Sequence, residues 1–157
     1  MARETTTRSA AVRGGREPVS RERALAAAVT IADAEGIGAL TMRRLAQELG
    51  VEAMSLYHHV ANKDDVLDGI TDLVVGEIEV PPRGTDWRSA MRERALSAHR
   101  VLLAHPWSAL MIMSRFNIGP GMTGYLDATF GRLREGGFSI HGARVICRVA
   151  SIAGTVR

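Results

Sequence analysis

Residues 40–67 read LTMRRLAQELGVEAMSLYHHVANKDDVL, and the way this stretch folds decides the class of the whole chain. Thr41 can cap a short helix that turns Leu45 and Leu49 inward, and Gly50 can end it in the left-handed conformation that glycine reaches at no steric cost. Val51 and Glu52 then lead into a third short helix, predicted over about 53–59. Two short helices joined by a glycine-containing turn make a helix-turn-helix over about 41–60, whose second helix lies in the major groove of DNA while the first crosses the backbone. Leu45, Ala46, Leu49, Val51, Leu56 and Val60 would form its core. What remains on the second helix is Glu52, Ala53, Ser55, His58 and His59, with Tyr57 at its flank. Most of these groups hydrogen-bond or stack, and they make no apolar face.

Other chemistries fit the same cluster poorly. Adjacent histidines on a helix point about 100° apart, so His58 and His59 cannot share one metal as an i, i+4 pair could. No H-E-x-x-H run and no cysteine pair supports zinc. Ser55 lies outside any G-x-S-x-G elbow, and no paired acid–base constellation occurs, so an enzyme is not expected. No metal and no cofactor is expected either.

Working outward, the chain divides into helices separated by punctuation. Ser20 can cap a first helix over about 21–35, with Leu25, Ala28, Val29 and Ala32 on one face and Gly36 as its stop. Asn62 caps a fourth, with Asp65 at the box position and Val66, Ile70, Leu73 or Val74, and Ile78 on one face until Pro81 and Pro82. Trp87, Met91, Ala95, Ala98 and Leu102 mark a fifth, closed by His105 and Pro106. The segment PWSALMIMSRF is a sixth; Met122, Leu126, Phe130 and Leu133 define a seventh, stopped by Gly136 and Gly137. Ser139 opens an eighth, whose apolar positions Ile140, Ala143, Ile146, Ala150 and Ala153 run on to Arg157 without a stop signal. No stretch alternates with period two, so the expected fold class is all-α. The unfinished eighth helix predicts a fragment with an uncovered apolar stripe, largely monomeric or prone to aggregate.

Composition sets the wider frame. At 157 residues and 46% hydrophobic, the chain can bury a real core. No run of eighteen apolar residues and no secretory signal is present, so a cytoplasmic, nucleoid-associated protein without a membrane partner is expected. Residues 1–23 carry six arginines against three glutamates, a net +3 that equals the charge of the whole chain. Rich in Thr, Ser and Gly and poor in large apolar residues, residues 1–19 are predicted to be a disordered basic arm suited to a polyanion or to solubility alone. Cys147, the single cysteine, reads as a small buried hydrophobe among Val145, Ile146 and Val149.

The run GALTMRRLAQELGVEAMSLYHHVANKDDVLDGI resembles the DNA-binding domain of the tetracycline-repressor (TetR) family. Gly36, the Leu40-Thr41 entry, LAQELGV, Leu56-Tyr57 followed by His59-Val60, Asn62-Lys63 and Leu67-Asp68 carry the likeness, which continues more weakly through Trp87, LLAHP and EGGFS over about 20–157. It implies a DNA-binding domain at 20–80 and a partial helical ligand-binding and dimerisation domain at 81–157. Carried over by position, Thr41, Tyr57 and Lys63 match phosphate contacts and Arg43 matches an arginine that reads guanine, its planar fork meeting O6 and N7 together. Arg44, Ala53, Ser55, His58 and His59 complete the candidate DNA-binding set. Met42 and Ala53 replace hydroxyl and amide groups of the tetracycline-binding members, so the operator is expected to differ from theirs.

For the second domain the resemblance implies a small-molecule effector bound between helices, with Met91, His99, Trp107, Met111, Met113, Phe116 and Asn117 as candidate lining. A methionine-rich wall is more often core than pocket, because methionine fills irregular gaps. Between Leu110 and Met113, where tetracycline-binding members hold the magnesium–drug complex with a histidine, there is none, so that ligand is not expected. Two functions follow from the resemblance and the residues: a ligand-responsive repressor that binds a palindromic double-stranded operator as a homodimer, or a helical interaction protein on the same scaffold.

Overall fold

In the computed structural model, residues 18–115 and 119–153 are described, the last seven of them by backbone alone. Among these residues every regular element is helical: α1 (Arg21–Glu35), α2 (Met42–Leu49), α3 (Ala53–Leu56), α4 (Lys63–Gly76), α5 (Trp87–Ala104), α6 (Ser108–Ser114), α7 (Pro120–Glu135) and α8 (Ile140–Ala153). A short 3-10 turn at Ile37–Ala39, which the sequence pattern does not announce, links α1 to α2. The helix starts follow the expected capping chemistry. Ser20 Oγ accepts from the Arg23 amide at 3.2 Å, Thr41 Oγ1 from the Arg44 amide at 3.0 Å, and Asn62 Oδ1 from the Asp65 amide at 2.9 Å. Gly36 (φ 83°) and Gly50 (φ 68°) end α1 and α2 in the left-handed region where a side chain would strain the backbone.

The core runs unbroken from α1 through α4. Ala24, Leu25, Ala28, Ile31 and Ala32 of α1 meet Leu45, Ala46 and Leu49 of α2, Leu56 of α3 and Val66, Leu67, Ile70 and Val74 of α4. Leu45, Leu56 and Ile70 are fully excluded from solvent. Val60 joins them and Val51 packs at the edge, so the six positions read from the sequence do supply the helix-turn-helix core. On α4, Val74 faces inward and Leu73 faces out, which resolves that pair.

Four expectations need correction. The third helix is α-helical only over Ala53–Leu56, because the amides of Tyr57, His58 and His59 bond three residues back, to Met54, Ser55 and Leu56, and tighten the chain into a turn. The fourth stops at Gly76, well short of Pro81: the Glu77 and Ile78 amides likewise bond three residues back, to Val74 and Val75. The buried face of α5 is Ala90, Arg94, Ser97 and Val101, whereas Ala95 of the predicted stripe is exposed. Polar groups occupy that inward face, since Ser97 Oγ accepts from the Glu79 amide at 3.0 Å and Arg94 lies against α7. Finally, the α8 stripe is not uniformly uncovered: Ala143 is fully buried, while Ile140 is exposed. The side chains of Cys147, Ala150 and Ala153 lie outside the described residues, as do Arg3, Arg8, Arg13 and Arg16 of the basic arm.

α4 is the hub between the two halves, packing on α1 at one side and on α7 and α6 at the other. Asp72 in its middle caps α7 from across the interface, its carboxylate accepting from the amides of Gly121 at 2.9 Å and Met122 at 2.8 Å. The approach is so close that a Cβ at Gly121 would collide with the Asp72 carbonyl oxygen. Arg115, after α6, donates to Asp64 at 2.6 Å and Asp68 at 2.7 Å on the first two turns of α4. His105 Nδ1 lies 2.8 Å from Asp33 of α1 and its Nε2 3.2 Å from Glu77 at the end of α4.

Candidate nucleic-acid interface

The short α3 and the turn that follows stand on a buried base. Leu56 and Val60 point down into the core at 0% and 2% exposure, so the side chains between them are forced outward. Ser55, Tyr57 and His58 are exposed and His59 is half-buried. Ala53 is partly covered, packing its methyl against the core. Met54, the most exposed large hydrophobic side chain among the described residues at 71%, sits between Ala53 and Ser55 and was not among the sequence-derived candidates. Its apolar character counts as core in a periodicity argument, and only the burial of Leu56 two residues on, across the helix, reveals that it faces solvent.

The two arginines of α2 behave differently. Arg44 is committed within the fold, its Nε and Nη2 donating to Glu35 at 3.1 and 2.7 Å and its Nη1 to Glu48 at 2.7 Å. It latches the end of α1 to α2. Arg43 is exposed and no carboxylate pairs with it among the described residues. Of the pair, then, Arg43 is the one presented to a partner. Thr41, exposed at the start of α2, spends one hydroxyl lone pair on the Arg44 amide and keeps its own O–H for an anion. Lys63 is exposed at the first position of α4, just beyond the Tyr57–His59 turn.

The predicted effector lining is scattered. Trp107 is buried in the core, with its Nε1 donating to Asp33 at 2.7 Å, and Met111 packs against the same core. Met91 is half-buried, while His99 and Met113 are exposed. Phe116 and Asn117 lie outside the described residues. Two clefts between α1, α4 and the start of α7, each about 640 Å³ or a little less, are lined by Asp72, Leu73 and Pro120 and include none of these candidates.

Among the described residues no helix is long and apolar enough to cross a membrane, and no group of three or more His, Cys, Asp or Glu side chains is placed to hold a metal.

Comparison with known proteins agrees with this geometry. Residues 24–70 match the family described as bacterial regulatory proteins, tetR family, and residues 80–151 match the tetracyclin repressor-like C-terminal domain. An HTH-type transcriptional regulator of Saccharopolyspora erythraea is 37% identical over 121 residues, covering 76% of this chain and 51% of its own. The HTH-type transcriptional repressor DrrR1 of Streptomyces coeruleorubidus is 36% identical over 129 residues, covering 81% of this chain and 48% of its own. The chain thus spans about half the length of these curated relatives. The crystal structure of apo ActR from Streptomyces coelicolor superposes with a TM-score of 0.80 at 38% identity, over 86% of this chain and 65% of that one. ActR is also known in complex with (S)-DNPA and with actinorhodin. A helix-turn-helix on an apolar base, an all-helical second part and both family matches lead to one conclusion: the chain belongs to the TetR family of bacterial regulatory proteins.

Proposed function

We propose that the protein is a transcriptional repressor that binds a palindromic operator as a homodimer and is released by a small-molecule effector. The observation that carries the reading is that Arg43 on α2 and Ser55, Tyr57 and His58 on α3 and its exit turn are all exposed polar side chains, while Leu45 and Leu56 of the same two helices are fully buried. Arg43 is assigned to a guanine edge and Thr41, Tyr57 and Lys63 to phosphates, so that one residue reads sequence and three set position. Met54, exposed on the same short helix, adds an apolar tip, the chemistry that meets a thymine methyl group. Effector control is supported by ActR, a similar protein solved with two small molecules.

The test is a competition titration at fixed salt between a duplex selected from a randomised pool and random-sequence duplex. Arg43→Ala should weaken the selected duplex by about 1–3 kcal/mol and leave random duplex nearly untouched, whereas Lys63→Ala should weaken both alike. Equal losses on all sequences for Arg43→Ala would remove its base-reading role. Failure of the unsubstituted chain to select any sequence under conditions where sedimentation shows it dimeric would favour the alternative, a helical interaction protein.

A further inference from the structure

We propose that Arg21 and Asp65 form a positioning pair that holds the recognition segment at its reading angle. The proposal deepens the DNA-binding reading above and rests on it. α3 has only four helical residues, too few to hold a direction by its own hydrogen bonds, and the chain leaves it through a turn. Leu56 and Val60 anchor this segment from below. At its exit the anchor is polar. Arg21, the first residue of α1, grips Asp65 of α4 with both prongs, Nη1 to Oδ2 at 2.7 Å and Nη2 to Oδ1 at 2.6 Å. The same Asp65 Oδ2 accepts from the Ala61 amide at 2.8 Å, and Arg21 Nη1 reaches the His59 carbonyl at 3.5 Å. The start of α1, the turn carrying Tyr57 to Ala61 and the start of α4 carrying Lys63 therefore meet at one guanidinium–carboxylate fork.

Stability is a poor explanation for this arrangement. The side chains are 43% and 27% exposed, and ion pairs that open to water add little to folding free energy. What a two-pronged pair does supply is direction, because both nitrogens must face both oxygens at once. Three donors converge on Asp65, and the hydrogen bond from Arg21 above all holds its carboxyl down to about 2, so the pair is charged throughout the range in which DNA is bound.

Charge and position predict opposite signs, which makes the pair testable. Asp65→Ala removes a negative charge beside a phosphate-binding face, so electrostatics alone would tighten every duplex. Positioning requires the reverse on the selected duplex: about a tenfold loss, with random duplex unchanged or tighter. Arg21→Lys keeps the charge and loses the fork; it should weaken the selected duplex several-fold at unchanged random-duplex affinity. Amide hydrogen exchange without DNA gives the second measurement, and residues 57–62 should exchange faster in both variants while α1 and α2 keep their protection. Selected-duplex affinity that is unchanged or improved in both variants overturns the proposal, whatever the exchange rates show. Unchanged exchange at 57–62 overturns it as well, with or without DNA data. If the unsubstituted chain selects no sequence at all, the DNA-reading function itself is lost and the pair's role in recognition goes with it, a failure distinguishable by being present before any substitution is made.

Discussion

Apolar packing, with the Arg44 latch at its surface, holds α1, α2 and α3 together, while the join between α4 and the helices beyond it adds directed polar contacts and close steric fit to the apolar contacts of Val101, Trp107 and Met111. In the first region Ala24, Ala28, Ile31, Leu45 and Leu56 are buried at 1% exposure or less, and its polar side chains stay at the surface. In the second, Asp72 caps α7, Arg115 clasps Asp64 and Asp68, and a buried Arg94 donates to the Tyr125 carbonyl at 2.6 Å while lying 3.7 Å over the Tyr125 ring. The contrast has a physical lesson. Apolar contact is nearly indifferent to angle, so it stabilises the helix-turn-helix without by itself fixing the direction of its segments; hydrogen bonds and ion pairs are angle-dependent, so a seam that includes them has a defined geometry.

The contrast breaks first if the apolar base is not the main source of stability. Leu56→Ala should therefore cost the most of any change considered, about 3 kcal/mol, since it opens a cavity under α3 where α1, α2 and α4 converge. A denaturant titration followed by helicity measures it. A loss no larger than that from a seam substitution would mean that the two regions do not differ in the way described.

Gly121→Val comes next, at about 2 kcal/mol, because the new side chain must push α7 away from the Asp72 carbonyl. Asp72→Ala should cost about 1 kcal/mol, leaving the Gly121 and Met122 amides without their acceptor. The two substitutions act on one contact, so the double variant should lose less than the sum of the singles. Strict additivity in the same titration would show that Asp72 and Gly121 do not act as one joint.

The same contrast explains what the sequence disclosed. Leu45, Ala46 and Leu49 repeat at helical spacing between a capping Thr41 and a stopping Gly50, and Leu56 and Val60 follow four residues apart beyond it, so the helix-turn-helix and its outward residues were legible. The seam was not, because its determinants are charged residues that a hydrophobic pattern assigns to solvent. Arg94 and Ser97 lie on the buried face of α5, and a stripe chosen for apolarity lands one residue away, on Met91, Ala95, Ala98 and Leu102. Arg21 and Asp65 are separated by 44 residues, and nothing local in either segment announces the pairing. Met54 was missed for the opposite reason, as an apolar side chain that faces out. The end of α3 was missed because a turn of three-back hydrogen bonds needs no glycine or proline to mark it.

The smallest expected effect distinguishes the regions by pH. His105 bridges α1 and α4 between Asp33 and Glu77, and Trp107 Nε1 shares the Asp33 oxygen at 2.7 Å. Burial pushes the imidazolium toward losing its proton, but the hydrogen bonds with the two carboxylates outweigh it, and the pKa is raised above 6.5. A raised folded-state pKa means that the protonated ring binds better in the fold than in the unfolded chain, so its contribution is fully present below pH 6.5 and is lost as pH rises through the raised value. Asp65 has the opposite sign: its contribution is present above the ordinary carboxylate value of 3.8 and is lost only as pH falls toward about 2. Between pH 5.5 and 8.5, then, the Arg21–Asp65 pair is constant while the His105 bridge weakens. The stability difference between the unsubstituted chain and His105→Gln should shrink by about 1 kcal/mol or less across that interval, measured by denaturant titration at each pH. A difference that grows with pH would place the proton elsewhere and leave His105 a neutral spacer between two acids.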